Sequence, residues 1–293
     1  MWCLMTDANN IVFLNGQYMP LSEAKISPMD RGFLFGDGIY EVVPSYNTKL
    51  VGFALHIQRL KDGLDAIGIK LYMGLNEWRE IAQNLMDKNG GGNLGLYFHV
   101  SRGADNKRSH AFPEHIQATV FAYAFGIEAV PLINKQNVKQ FRVTSTEDLR
   151  WKRCNIKSTS LLGNVMHFQE SRNKGVQETL LFNQSNELTE ASACNVFMVK
   201  NGVVITPALD HQLLPGITRC MLLDILRKEG SLQVQERVVN MTEVRDADEV
   251  WLTSSSKEIV PVVELDGQPV GNGTVGDIWQ FAQLLYSANK YNY

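Results

Sequence analysis

The sequence predicts two α/β domains, and three observations predict it. A chain of 293 residues that is 44% hydrophobic can bury two cores of ordinary size. Runs with strand character alternate with runs of helical period in both halves. Between the halves, residues 128–140 change in composition, with Pro131 and a polar Asn134-Lys135-Gln136-Asn137 patch that reads as a linker. We therefore expect an N-terminal small α/β domain over residues 1–130, a linker over 131–140 and a larger C-terminal domain over 141–293.

In the first half, residues 11–19 alternate about Asn15-Gly16, a pair suited to the positive φ of a hairpin turn. Residues 25–46 hold Pro28, Asp30, Gly32, Gly36 and Gly38, which break regular pattern until a strand begins at Ile39. Ile57, Leu60, Leu64 and Ile67 give residues 55–68 a helical stripe with Arg59 beside it, and Trp78, Ile81, Leu85 and Met86 do the same for residues 75–88. Gly90, Gly92 and Gly95 match G-x-G-x-x-G, but they follow a helix and open a strand, the reverse of the dinucleotide-binding context. Strands over residues 94–101 and 116–125 flank a polar loop carrying Arg108 and His110.

The second half predicts a strand over residues 141–147, a helix over 161–174 stopped by Gly175, and a strand over 178–182. A hairpin about Asn201-Gly202 and a helix opened by Leu213-Leu-Pro-Gly-Ile-Thr-Arg follow. Strands over 232–239 and 249–253, a hairpin about Asp266-Gly267 and a helix near 275–287 close the chain.

Composition narrows the function. A net charge of −3 offers neither a basic nucleic-acid groove nor a patch for an anionic membrane, so the expected partner is a small molecule. No apolar run has the length of a bilayer span. Cys3, Cys154, Cys194 and Cys220 show no paired spacing and no charged-then-apolar leader is evident, so a reducing, cytoplasmic setting is expected. The six histidines show no metal spacing, and no metal is expected.

The most informative stretch is residues 150–164, centred on Lys157, which stands where a strand hands over to a helix. A lysine alone is normally a solvated charge. Further on, Gly216-Ile217-Thr218 opens a helix, where unpaired N–H groups and the helix dipole favour an anion. Ser254 and Ser255 at a strand end add hydroxyls, and Arg59 a guanidinium. A cradle for one phosphate, a lysine amine and a carboxylate at Glu190 are the set that pyridoxal 5′-phosphate requires.

Arg153-Cys-Asn-Ile-Lys-Ser, Leu161-Leu-Gly-Asn, Thr189-Glu-Ala-Ser-Ala-Cys-Asn-Val-Phe and Leu214-Pro-Gly-Ile-Thr-Arg resemble the class IV, fold-type IV, pyridoxal-phosphate transaminases. Gly36-Asp-Gly-Ile-Tyr-Glu-Val-Val and His56-Ile-Gln-Arg fit the same pattern, in the family's order along nearly the whole chain. The resemblance implies two α/β domains with the cofactor between them, in a homodimer. It makes Lys157 the Schiff-base lysine and proton shuttle and Glu190 the partner of the pyridinium. It gives the phosphate to Arg59, Ile217, Thr218 and Ser255, and the helix start and strand end add Gly216 and Ser254 to the expected cofactor-binding set.

Tyr40, Tyr97, Arg108 and His110 follow the pattern of the family's D-amino acid transaminases, in which the Arg-x-His pair is lent by the neighbouring subunit to trap the α-carboxylate. The resemblance thus implies ping-pong transfer from a D-alanine-like donor to a 2-oxo acid such as 2-oxoglutarate. A branched-chain L-amino acid transaminase and a 4-amino-4-deoxychorismate lyase are the alternatives within the family, and a non-catalytic relative a third. Ala193-Cys194 replaces hydroxyl residues common after the family's glutamate, and Pro44 departs from the D-specific pattern.

Overall fold

The computed structural model describes residues 9–130 and 133–293; Cys3, and Pro131 at the head of the expected linker, lie outside the described residues. The chain divides into two compact units. One holds the described residues up to Val130 with Ile156–Leu161 and Tyr293, and the other holds those up to Asn155 and then Leu162–Asn292. The short stretch around Lys157 therefore belongs to the first unit while its neighbours on both sides belong to the second.

The first unit contains β1 (Ile11–Leu14), β2 (Gln17–Pro20), α1 (Arg31–Phe35), β3 (Gly38–Tyr46), β4 (Lys49–Leu50), α2 (Phe53–Ala66), α3 (Leu75–Lys88), β5 (Leu94–Ser101) and β6 (Thr119–Gly126). Its strands form one antiparallel sheet in the order β2-β1-β6-β5-β3-β4. The period of two along each strand sorts the side chains onto two faces. Leu96, Phe98, Val100, Ala122 and Ala124 pack against Ile57, Leu60 and Leu64 of α2 and Trp78, Ile81 and Leu85 of α3. The other face carries Tyr40, Tyr97, His99, Phe121 and Tyr123, all half-buried. Asn15 and Gly16 take φ of 49° and 92°, as the opening hairpin requires.

The second unit contains β7 (Phe141–Glu147), α4 (Leu162–Asn173), β8 (Glu178–Phe182), β9 (Leu188–Ala191), β10 (Asn195–Lys200), β11 (Val203–Pro207), α5 (Ile217–Glu229), β12 (Val234–Arg237), α6 (Met241–Arg245), β13 (Glu249–Ser254), β14 (Glu258–Leu265), β15 (Gln268–Pro269) and α7 (Asp277–Asn289). The sheet runs β12-β11-β10-β13-β14-β7-β8-β9, with β15 on β14. It is mixed, the pairs β11–β12, β14–β7 and β7–β8 being parallel. Val196, Met198, Val250, Leu252 and Val260 meet Val239, Met241 and Val244 in one core. Alternation sends Phe197 and Trp251 to the opposite face, where their rings stack at 6.3 Å.

Several elements differ from expectation. β6 begins at Thr119 rather than 116, because the β5–β6 ladder ends at Ser101 and Thr119, whose hydroxyls both donate to Asp30 (2.7 and 2.6 Å). The helices α1 and α6 are too short to show a period, and each is instead capped by a side chain, Asp30 accepting from the Gly32 amide and Asn240 from the Thr242 amide. The apolar residues of α4 do not face a core: Leu162 is 73% and Val165 59% exposed, and the buried side is His167 and Ser171.

Candidate active site

Sheet alternation separates the neighbours Tyr40 and Glu41. Glu41 points to α2, where His56 and Arg59, one helical turn apart, reach it together. Its carboxylate takes the Arg59 Nε and Nη2 at 2.7 and 2.8 Å and lies 2.7 Å from His56 Nδ1. Glu41 is fully buried. Burial pulls its pKa up, but the Arg59 guanidinium and His56 outweigh that and hold it well below the usual carboxylate range. Burial lowers the pKa of His56 against the pull of Glu41, so the ring is neutral and donates from Nδ1.

Tyr40 lies on the opposite face with Lys157. The Tyr40 amide donates to the Lys157 carbonyl at 3.1 Å, and the lysine Nζ lies 4.2 Å from the centroid of the Tyr40 ring. The segment is clipped on: Thr159 Oγ1 and Ser160 Oγ donate to the Gly36 carbonyl (2.9 and 3.0 Å), and the Thr159 amide donates to that of Gly38 (2.9 Å). Only glycine fits at 36, which has φ of 65° and where a Cβ would lie 2.6 Å from Ser160 Oγ. Tyr97 stacks on Tyr40 at 5.6 Å, and its hydroxyl meets His99 Nδ1 at 3.1 Å. Burial, with Tyr40 and Tyr123 beside it, raises the pKa of Tyr97, which keeps the phenol protonated as a donor. On the loop after β5, Arg108 and His110 are exposed and share the Phe35 ring, the guanidinium 5.1 Å and the imidazole 5.5 Å from its centroid.

The second unit gathers the other expected residues. Glu190 on β9 is buried and ion-paired to Arg150 Nη1. Its Oε2 accepts from Asn195 Nδ2 (3.2 Å) and from the Leu214 amide (3.1 Å). Arg150 is held by Asp148 at 2.7 Å, which also accepts from Thr189 Oγ1 at 2.8 Å. Burial raises the pKa of Glu190 and Arg150 opposes it, leaving a carboxylate more basic than usual.

Two residues beyond Leu214, Gly216 begins α5 with no side-chain cap, so the amides of the first turn face outward. A Cβ at 216 would lie 2.0 Å from Asn195 Oδ1, so a side chain there would close the cradle. Asn195 pairs across the sheet with Thr253. Thr253 Oγ1 and Ser254 Oγ are buried without a partner among the described residues. Orphaned hydroxyls beside an uncapped helix start fit a phosphate. At the departure from the family pattern, Cys194 Sγ sits 3.3 Å from Lys257 Nζ, and burial pushes the thiol up to about 11, so it stays protonated.

Each unit thus brings its own share together: Lys157, Tyr40 and Tyr97 in one, with Arg59 turned to Glu41; Glu190, Gly216, Ile217, Thr218 and Ser254 in the other. Glu41, Arg150, Asp148 and Asn195 were not anticipated. Asp148-x-Arg150 just past the end of β7 is a local signal that could have pointed to two of them.

The chain matches the amino-transferase class IV family over residues 38–265. It is similar to a D-alanine aminotransferase of Listeria monocytogenes serotype 1/2a (strain 10403S), 35% identical over 91% of each chain. It is also similar to one of Staphylococcus aureus (strain MW2), 34% identical over 96% of this chain and 97% of that one. Among solved structures, the branched-chain amino acid aminotransferase from Thermobaculum terrenum in its PLP-bound holo-form superposes with a TM-score of 0.86 at 20% identity, over 98% of this chain and 95% of that one. A model spanning most of the chain and relatives at this identity and coverage leave one assignment: the chain belongs to the class IV aminotransferases.

Proposed function

We propose that the chain is a pyridoxal 5′-phosphate-dependent D-amino acid transaminase. It moves the amino group of a D-alanine-like donor to a 2-oxo acid such as 2-oxoglutarate in two half-reactions. The observation that carries the reading is the Lys157 amine set 4.2 Å over the Tyr40 ring, with Tyr97 stacked behind it. The D-alanine aminotransferases similar over nine-tenths of both lengths support the choice of donor.

Bound pyridoxal phosphate supplies an electrophilic carbon and a ring that accepts electrons. Lys157 would hold the cofactor at that carbon, and its amine, once released, would take the proton from the donor Cα and return one. Glu190, oriented by Arg150, Asn195 and the Leu214 amide, would accept a hydrogen bond from the ring nitrogen. The first-turn amides of α5, Thr218, Ser254 and Ser255 would hold the phosphate, while Arg59 stays paired with Glu41. Tyr40, Tyr97, Arg108 and His110 hold the α-carboxylate. Fixing the amine and the carboxylate leaves the Cα–H of one enantiomer facing the lysine, which is how a trap becomes stereospecific.

We place Arg108 and His110 at the site of a neighbouring copy in a homodimer. The apolar stripe Leu162, Val165 and Met166 on α4, all more than half exposed, supports a partner of the same chain. Sedimentation should show twice the chain mass.

The experiment that tests the reading is a half-reaction: D-alanine, and separately L-leucine, is mixed with the loaded enzyme and loss of visible cofactor absorbance is followed. Conversion by D-alanine alone is the expected result; conversion by L-leucine alone assigns the branched-chain L-specific activity instead. Arg108→Ala should lower kcat/KM for D-alanine about 10–100-fold, the loss of one charged hydrogen bond. Gly216→Ala should weaken cofactor retention at least about ten-fold, because its Cβ displaces Asn195 and closes the α5 amides; dialysis against phosphate measures it.

A further inference from the structure

We infer that Arg31 and Arg102, joined through Asp37, are positioning residues for carboxylate recognition, acting by holding the backbone of the loop that carries Arg108 and His110. This rests on the reading that Arg108 and His110 meet the substrate carboxylate.

The loop between β5 and β6 covers residues 102–118, a length at which a segment without regular structure is ordinarily mobile. Here it is fastened at three levels. At its base, Asp30 accepts from Ser101 Oγ and Thr119 Oγ1 and so joins the two strand ends. At its crest, Arg31 donates to three successive carbonyls: Nη1 to Ser109 at 2.5 Å and Ala111 at 3.3 Å, Nη2 to His110 at 3.3 Å. On its descending side, the Arg102 guanidinium lies 3.6 Å from the centroid of the Phe112 ring.

Arg31 and Arg102 are themselves fixed. Both are buried, and Asp37 accepts from Arg31 Nε at 2.8 Å and from Arg102 Nε and Nη2 at 2.8 and 3.0 Å. Two buried guanidinium groups with one carboxylate leave a positive charge that must be satisfied locally. The loop carbonyls of residues 109–111, with those of Ile67 and Gly68, supply that. Release of the loop would take these three acceptors from Arg31. Phe35, one turn after Arg31, completes the device. Its ring lies 4.8 Å from the Arg31 guanidinium and takes Arg108 and His110 against it, so backbone and side chains are ordered from the same helix.

The test compares Arg31→Lys and Phe35→Leu with Arg108→Ala in the loaded enzyme. The readouts are KM and kcat for D-alanine, competitive inhibition by propionate as a bare carboxylate probe, and cofactor retention. Lysine keeps a charge for Asp37 but lacks the fork that spans three carbonyls. Arg31→Lys and Phe35→Leu should raise KM and weaken propionate inhibition about ten-fold each, with kcat and cofactor retention within about two-fold. A staple that only stabilises the fold would leave propionate inhibition unmoved in the folded protein, and that result overturns the inference if Arg108→Ala does weaken it. Should Arg108→Ala leave propionate inhibition unchanged, the carboxylate reading itself falls and the inference with it. If Arg31→Lys does not fold, Phe35→Leu decides alone by the same readouts.

Discussion

Lys157→Ala abolishes transamination: kcat for D-alanine is expected to fall by about 10⁴-fold or more. Positioned acid–base groups contribute roughly 10²–10⁴ on their own, and in the proposed mechanism this lysine would also provide the covalent attachment. The fold should survive, because what ties the segment down is backbone and hydroxyl. The Lys157 carbonyl still accepts from the Tyr40 amide, and Thr159 and Ser160 still donate to Gly36. Single-turnover mixing with D-alanine, alongside an unfolding curve, separates the two effects. A folded alanine variant that still turns over at the parent rate removes Lys157 from the chemistry.

The largest loss of stability is expected at Glu41. Its carboxylate is the shared partner of Arg59 and His56 in a fully buried position, so Glu41→Ala leaves a guanidinium without its acceptor and should cost about 3–5 kcal/mol. The pH dependence has a definite sign. The folded carboxylate titrates below its unfolded value, so its contribution is present above the unfolded range near pH 4 and is lost as pH falls. His56 is likewise depressed when folded; the unfolded ring takes up protons first, and stability declines as pH drops below about 6.5. Urea unfolding at pH 8, 5 and 3 should show stability falling in that order in the parent and a smaller decline between pH 5 and 3 in Glu41→Ala. Equal slopes would show that Glu41 titrates as freely folded as unfolded.

Much of this fold is written locally. Asn15-Gly16, Asn201-Gly202 and Asp266-Gly267 take positive φ at both positions and join adjacent strands, because the residue pair itself favours that turn. Strand β7 and helix α3 end where polar and glycine residues interrupt their periods. The motif around Lys157 and the Gly216 helix start were legible through residue order. What was not legible depends on distance in space. Asp37 meets Arg102 from 65 positions away and Glu190 meets Arg150 from 40, and neither carboxylate differs in sequence from a solvated one. The α4 stripe had the period of a buried face and lies open, because period reports which residues share a side and not what covers it.

The assignment of Ile156–Leu161 to the first unit, with Asn155 and Leu162 in the second, has a consequence for biosynthesis. The polypeptide passes between units more than once, so the first unit is not complete when Val130 leaves the ribosome. The carbonyls of Gly36 and Gly38 and the amide of Tyr40 wait for a strip synthesised about 120 residues later, a delay of about 6–24 seconds at roughly 5–20 residues per second. A fragment ending at residue 130 would lack both the lysine and the clip that seats it. The Lys157 amine thus enters the N-terminal unit only after the C-terminal one has begun to emerge.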